Sequence, residues 1–154
     1  MKYSLCAFLA GSLILGGTFI TSRFTHPRLV HAQGGCDLTS FTGGYGYIFN
    51  GYAYDPQNNV YIIASVGSLA SDGNGGLTGG DTTNFDGTVL KRTFTGTYSI
   101  NADCTGSSTL QMANGTSTST AHGDIVAVNN AREVNFVQTD PNFIVSGTFK
   151  KQIQ

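Results

Sequence analysis

The clearest pattern in the chain is the alternation of side-chain types over residues 91–100. One set of alternate positions includes two aromatic side chains, an isoleucine, an arginine and a glycine, and the positions between them hold Thr or Ser. Successive side chains of a β-strand point to opposite faces, so this stretch predicts a strand with an aromatic inner face and a polar outer face. Residues 101–106 are turn formers that end the strand. The inner positions are Arg92, Phe94, Gly96, Tyr98 and Ile100.

From Phe41 onward the chain consists of short strand patterns separated by turn signals, and no window has the periodicity of an amphipathic helix. Pro, Gly, Asn and Asp cluster at the breaks, as at residues 55–59 and at Asn114-Gly115. The sequence therefore predicts an all-β domain of about eight antiparallel strands joined mostly by hairpins. The predicted strands are 45–54, 60–69, 77–90, 91–100, 107–113, 116–128, 132–139 and 143–150.

A five-residue motif of the form apolar, polar, Gly, Thr, apolar occurs three times, at 85–89, 94–98 and 145–149. In each copy the glycine shares a strand face with its apolar flanks. A glycine on the inner face lets a strand coil strongly without a collision across the interior. The motif therefore favours a single closed antiparallel up-and-down barrel of eight strands, calycin-like in shape, over the alternative of a β-sandwich. Such a barrel can fill its interior with side chains or hold one small ligand.

The first 32 residues have the composition of an export signal. Lys2 precedes an apolar run from Leu5 to Ile20, and Val30-His-Ala32 suits a signal-peptidase cut after Ala32. We therefore predict a signal peptide at 1–32 and a β-barrel domain at 33–154, in a secreted, periplasmic or cell-envelope protein without a membrane segment after cleavage. An uncleaved membrane anchor is the alternative, because the segment is long and carries Arg23 and Arg28.

Charge and cysteine content narrow the possible partners. Residues 33–154 carry nine acidic and five basic side chains, which argues against a nucleic-acid partner because nucleic-acid binding relies on Lys and Arg. Cys36 and Cys104 remain after cleavage, and such a pair in an exported protein predicts a disulfide across 68 residues. With His122 as the single remaining histidine, and a loop at 72–76 that has calcium-type spacing only at Asp72 and Asn74, no metal and no cofactor is predicted.

Three stretches, taken together, form a combination specific enough to compare with known families. They are ASDGNGGLTG at 70–79, RTFTGTYSINADCTG at 92–106 and REVNFVQTDP at 132–141. Together they resemble a group of secreted bacterial proteins described as allene oxide cyclase barrel-like, over the span from Phe41 to Lys150. The resemblance implies a lipocalin-like eight-stranded barrel, related in shape to plant allene oxide cyclases and dirigent proteins. The plant cyclases steer ring closure of an unstable fatty-acid epoxide inside an apolar barrel without a cofactor. None of their polar site residues matches a numbered position here, and a shared fold alone does not establish a function.

Aromatic side chains occupy many of the inward-facing positions of the predicted strands. We expect them to line a cavity for a small apolar or amphipathic molecule. Arg92 and Arg132 precede aromatic positions in the same phase, so both are candidates for binding an anionic head group at the barrel rim. The alternative is that they pair with acidic residues such as Asp86 or Asp140. The cavity candidates are Tyr45, Tyr47, Phe49, Phe94, Tyr98, Phe136 and Phe149.

The sequence assigns no catalytic residue. Glu133 is the only glutamate, and its phase, opposite to Val134, places it on the outer face. His122 and Asp124 share a strand face, but Cα atoms two residues apart lie roughly 7 Å from each other, which argues against the direct hydrogen bond of a hydrolytic triad. Three functions compete: a non-catalytic binder, a cofactor-free cyclase or isomerase that uses the same cavity, and a structural or adhesive envelope protein with a filled barrel.

Self-association is a further expectation. Residues 60–69 are apolar on both strand faces, which leaves an outer apolar patch to be covered. The resemblance implies the same, because its plant members form trimers. The sequence therefore predicts a homo-oligomer.

Overall fold

The computed structural model describes residues 35–153 of the protein. The predicted signal peptide at 1–32 and the predicted cut before Gln33 lie outside the described residues. A 3-10 helix at Leu38–Ser40 precedes eight strands in the described range. No helix within residues 35–153 has the length and apolar character needed to cross a membrane.

The eight strands form one closed antiparallel sheet. Each strand pairs with the next in the chain, and the last strand pairs with the first. The predicted eight-stranded barrel is therefore confirmed, and the β-sandwich alternative is wrong. The strands are β1 (Thr42–Tyr54), β2 (Val60–Asp72), β3 (Gly76–Phe85), β4 (Thr88–Ile100), β5 (Thr105–Asn114), β6 (Ser117–Val128), β7 (Glu133–Gln138) and β8 (Phe143–Lys151).

The turn between β3 and β4 lies earlier in the chain than predicted. Asp86 and Gly87 form it, and both have positive φ, 48° and 88°. Positive φ at both central residues is characteristic of the type I′ turn, whose twist matches that of hairpin strands. The predicted boundary at residues 90–91 is therefore wrong, and Gly87 is a turn residue, not an inner-face strand glycine. Val89 consequently lies exposed on the outer face.

The other two copies of the glycine motif lie inside strands, as predicted. A Cβ atom at Gly96 would collide with the carbonyl oxygen of Thr109, and one at Gly147 would collide with the carbonyl oxygen of Ile48. Neighbouring strands thus approach more closely at these positions than a side chain allows. These glycines permit the strong coiling that closes a small barrel.

One end of the barrel is closed by the segment before β1. The predicted disulfide between Cys36 and Cys104 is present, with Cα atoms 5.0 Å apart. The Phe41 ring is buried with its centroid 4.7 Å from that of Tyr45 and 5.1 Å from that of Tyr98. The Tyr98 hydroxyl donates a hydrogen bond of 2.9 Å to the carbonyl oxygen of Phe41. The disulfide therefore anchors a plug that seals the end where β2–β3, β4–β5 and β6–β7 turn.

β2 is apolar on both faces, as its sequence predicts. Ile63 and Leu69 are buried inside the barrel, whereas the outward Ile62 and Val66 are 59% and 61% exposed. Nothing within residues 35–153 covers this outer face.

Candidate ligand cavity

The half of the barrel opposite the plug contains a cavity of about 210 Å³. An engineered apolar cavity of about 150 Å³ binds benzene, and typical sites for drug-sized ligands measure about 300–1,000 Å³. The cavity is therefore suited to a molecule only modestly larger than benzene. Its wall is largely apolar and includes Phe49, Ile63, Phe94, Leu110, Phe136 and Val145.

One row of residues across four strands forms the polar floor of this cavity. Tyr47 of β1 pairs with Gly67 of β2, Gly67 pairs with Asp81 of β3, and Asp81 pairs with Arg92 of β4. Directly opposed residues of neighbouring strands share a face, so the whole row faces the interior. Tyr47, Asp81 and Arg92 all line the cavity.

Gly67 makes the row possible, because it leaves space between the two side chains that flank it. A Cβ atom at Gly67 would lie 2.7 Å from the Tyr47 ring and 2.7 Å from the Cβ atom of Asp81. Without that atom, the Tyr47 hydroxyl reaches across β2 and donates a hydrogen bond of 3.1 Å to Oδ2 of Asp81. Gly67 is therefore a positioning residue for the polar floor.

Asp81 and Arg92 form a two-pronged ion pair inside the barrel. Nε of Arg92 donates to Oδ1 of Asp81 at 2.9 Å, and Nη2 donates to Oδ2 at 2.6 Å. The Asp81 side chain is only 3% exposed and that of Arg92 is 20% exposed. This fork geometry is the strongest arrangement of the two groups, and it cancels their charges where they meet the cavity.

Burial raises the pKa of the Tyr47 hydroxyl well above its ordinary value, and the negative charge of Asp81 raises it further. The hydroxyl therefore remains protonated at physiological pH. It donates its proton to Asp81, and its oxygen keeps lone pairs that can accept a hydrogen bond from a ligand.

The other buried polar groups of the cavity satisfy one another. Oγ of Ser65 and Oγ1 of Thr83 lie 2.6 Å apart on the paired strands β2 and β3. One hydroxyl donates its proton to the other, so the pair keeps a single O–H donor besides its remaining lone pairs. The polar floor holds the charged side chains of the cavity, whose remaining wall is apolar apart from uncharged polar residues such as Ser119, Thr120 and Gln138.

At the cavity mouth, Asp140 connects the inner and outer faces. Its Oδ2 accepts a hydrogen bond of 2.9 Å from Nε2 of the cavity-lining Gln138, and its Oδ1 lies 2.7 Å from Nδ1 of His122. Burial alone would raise the pKa of Asp140, but hydrogen bonds from the His122 backbone, the His122 ring and Gln138 outweigh it and lower that pKa. His122 thus pairs with Asp140, not with Asp124, and its side chain is exposed.

All seven predicted cavity residues lie buried inside the barrel, but they separate into two groups. Tyr45, Tyr98 and Phe149 pack in the closed end around the plug, where the Tyr45 hydroxyl donates to the Ala131 carbonyl oxygen at 2.8 Å. The residues that line the cavity are Tyr47, Phe49, Phe94 and Phe136.

The structure does not bring the two candidate arginines together. Arg92 lies inside the barrel and pairs with Asp81, rather than with the predicted Asp86 or Asp140. Arg132 is exposed in the β6–β7 connection, at the opposite end from the cavity mouth. A rim site that uses both arginines is therefore not formed.

Asp81 is the important residue that sequence reasoning missed. It lies two and four residues before Thr83 and Phe85, which face the interior, so the alternation of β3 places it inside as well. This phase is the same whether the strand ends at Phe85 or continues to Leu90, so the alternation alone could have identified Asp81 as an inward carboxylate.

Glu133 lies outside the cavity, as its phase predicts, and its Oε2 is 4.0 Å from Nζ of Lys150. The Asp72 carboxylate accepts backbone hydrogen bonds from Asn74 and Gly76, at 2.7 Å and 2.8 Å, so it stabilises the hairpin turn of the 72–76 loop. Among residues 35–153, no three His, Cys, Asp or Glu side chains are grouped closely enough to hold a metal ion.

Comparison with protein-family profiles, with curated proteins and with solved structures finds no match to this chain. The resemblance to allene oxide cyclase barrel-like proteins is therefore still a hypothesis. The functional proposal below depends on the geometry of the cavity.

Proposed function

We propose that the protein is a non-catalytic binder of one small amphipathic molecule. The observation that supports this function best is the cavity of about 210 Å³ with the Tyr47–Asp81–Arg92 row at its floor. Small-molecule sites are typically concave and apolar, with a few placed polar groups that fix orientation. In this proposal, the ligand's apolar body packs against the stacked rings of Phe49 and Phe136, and its polar end contacts the floor.

Native mass spectrometry of protein purified from the cells that make it tests the proposal directly. We expect a complex heavier than the chain by the mass of one small molecule, which solvent extraction then releases for identification. The recombinant chain should also bind toluene, a minimal apolar probe, in ligand-observed NMR.

A cavity-filling variant gives the matched control for these binding experiments. Ala121 is buried and lines the cavity, so Ala121→Phe places a ring in the ligand space. Ala70→Phe introduces the same ring on the exposed outer face of β2. We expect Ala121→Phe to abolish toluene binding and Ala70→Phe to preserve it. Equal binding by both variants, or none by the wild type, would favour a structural or adhesive role instead.

A cofactor-free cyclase or isomerase is the second candidate, and Asp81 is the observation that favours it. A buried carboxylate beside a tyrosine hydroxyl is a plausible acid–base pair for such a reaction. However, both Asp81 oxygens already accept hydrogen bonds, and a long-chain fatty-acid epoxide would have to extend out of the mouth. Incubation with an unsaturated fatty-acid epoxide and chiral chromatography would identify this activity as an excess of one enantiomer that Asp81→Asn removes.

We also propose that the chain acts outside the cytoplasm, secreted or in the periplasm or envelope. Disulfides persist in oxidising compartments, so the bond between Cys36 and Cys104 is compatible with export. Mass analysis of the exported protein should find a chain that starts at Gln33, and retention of residues 1–32 would support the anchor instead.

A further inference from the structure

The charges of the cavity floor indicate whether the polar group of the ligand is neutral or charged. This step rests on the proposed binding function and deepens it. Among residues 35–153, Arg92 is the only cation that lines the cavity, and Asp81 is the only anion. Because the two neutralise each other at 2.6 Å, an arriving ligand meets no excess charge of either sign.

Hydrogen-bonding capacity remains at the floor even though the charge is cancelled. A guanidinium has five N–H donors, and Asp81 uses the Nε donor and one Nη2 donor of Arg92. Within residues 35–153, no hydrogen bond involves Nη1 of Arg92. The Tyr47 oxygen donates its only proton to Asp81 and retains its acceptor capacity. The floor therefore offers donors from Arg92 beside an acceptor from Tyr47.

A charged ligand group is poorly matched to this floor. A carboxylate would accept from Arg92, but it would also be buried near the Asp81 carboxylate and the Tyr47 lone pairs without a cation of its own. A cationic group would meet a carboxylate that already accepts three hydrogen bonds and whose charge Arg92 already neutralises. A buried charge without an unshared partner is strongly unfavourable, whereas a neutral group that both donates and accepts satisfies both sides.

From these contacts we infer that the cavity selects a small, uncharged molecule whose single polar group is both a hydrogen-bond donor and an acceptor, such as an amide or an alcohol on a ring. This replaces the anionic head group expected from Arg92 alone.

Three probes of nearly equal shape test the inference: benzamide is neutral, benzoate is an anion and benzamidinium is a cation. Their dissociation constants for the full barrel are measured at pH 7 by NMR titration, which covers the millimolar range expected for fragments. We expect benzamide to bind at least tenfold more tightly than either ion. Benzoate binding as tightly as benzamide would overturn the neutral-group inference and leave the binding function standing. If neither these probes nor toluene bind, the binding function itself fails, and this inference fails with it.

The Asp81→Asn variant tests the cause of the selectivity. Removing the carboxylate charge leaves Arg92 unneutralised, so benzoate should bind at least tenfold more tightly to this variant than to the wild type. Benzamide affinity should change by less than about threefold. An unchanged preference in the folded variant would contradict the role of Asp81 in cancelling the charge.

Tyr47→Phe provides an independent variant in case Asp81→Asn does not fold. Phenylalanine keeps the ring over Gly67 and removes the acceptor oxygen, so benzamide affinity should fall at least threefold more than toluene affinity does. Unchanged benzamide affinity would show that the ligand's donor does not contact Tyr47, and would overturn the donor-and-acceptor requirement.

Discussion

At the scale of single residues, Asp81 and Arg92 depend on each other unequally. Asp81 is almost fully enclosed, at 3% exposure, whereas Arg92 is 20% exposed and borders the cavity. Removing one member of a buried pair is costly because the other charge is left without compensation. Loss of Arg92 therefore leaves the more deeply buried charge, the Asp81 carboxylate, without a cationic partner.

We predict that Arg92→Gln destabilises the fold more than Asp81→Asn does. The arginine variant should lose about 3–5 kcal/mol, the range for breaking a buried ion pair. The aspartate variant should lose about 1–3 kcal/mol, because the remaining guanidinium is 20% exposed and can contact solvent. Urea denaturation at pH 7 measures both values, and the double variant Asp81→Asn/Arg92→Gln should be more stable than Arg92→Gln alone. The reverse order of the single variants would contradict the burial argument.

At the scale of strands and turns, the sequence predicts the alternation well and the ends of strands less well. The aromatic face of β4 and the inner glycines Gly96 and Gly147 follow from period two alone, because each lies inside a long strand. The sequence predicts the β3–β4 turn too late in the chain, because Thr88 and Val89 continue the period-two alternation of the residues before the turn. The inward phase of Asp81 does not depend on where this turn lies. The partners of Asp81 could not be predicted, because its pairing with Arg92 depends on the register between two strands.

Gly67 of β2 has no space for a side chain between its neighbours. Gly67→Ala should lower the free energy of unfolding by about 1–3 kcal/mol, the usual cost of overpacking, because the new Cβ atom would collide with the carbonyl oxygen of Gly80 and lie 2.7 Å from the Tyr47 ring. Gly46→Ala on β1 is the matched control, since its Cβ atom would meet only the Gln152 side chain at 3.7 Å. We expect that control to be neutral or to gain up to about 1 kcal/mol. Urea denaturation compares the two, and equal effects would remove the special role of Gly67.

The hairpin turns make the fold sensitive to acid. Hydrogen bonds from Asn59 lower the pKa of Asp55, and those from Asn74 and Gly76 lower the pKa of Asp72. A carboxyl group whose pKa is lowered by folding stabilises the fold above its unfolded pKa of about 3.9, and this contribution is lost as the pH falls through the folded pKa.

We therefore predict that the free energy of unfolding falls as the pH is lowered from about 5 to 2. The double variant Asp55→Asn/Asp72→Asn should lose less stability over this range than the wild type, because two of the groups that must be protonated are absent. Urea midpoints at several pH values test this. An equally steep fall in the double variant would show that other groups cause the acid sensitivity.

At the scale of the whole molecule, the features that stabilise the barrel and the cavity that we propose binds a ligand lie at opposite ends. The disulfide and the Phe41 plug close one end, and the cavity opens at the other. We predict that Cys36→Ser/Cys104→Ser lowers the free energy of unfolding by about 2–5 kcal/mol, chiefly by releasing a closed loop of 68 residues in the unfolded chain. Toluene affinity should be unchanged under conditions where the variant is folded. Lost binding in the folded variant would show that the plug also shapes the cavity.

The outer faces of β1, β2 and β8 form a continuous apolar surface. Ile48 and Tyr52 on β1 oppose Val66 and Ile62 on β2, Ile144 on β8 opposes Tyr52, and all five side chains are exposed. The outward positions beside them, Asn50, Ala64 and Ser146, carry no charge, so a second copy could cover this face without desolvating an ion. A face of antiparallel strands can also meet its own copy about a two-fold axis, as in most dimers.

We expect the barrel to self-associate through this face at micromolar concentrations. Sedimentation velocity should show a species larger than one chain for the wild type, and Ile62→Lys should shift it to the monomer. Val126→Lys is the matched control, because Val126 is an exposed outer-face valine on β6, four strands around the sheet from β2. The control should assemble like the wild type, since its new charge lies away from the contact. A wild-type chain that stays monomeric at all accessible concentrations, or two lysine variants that behave alike, would contradict this interface.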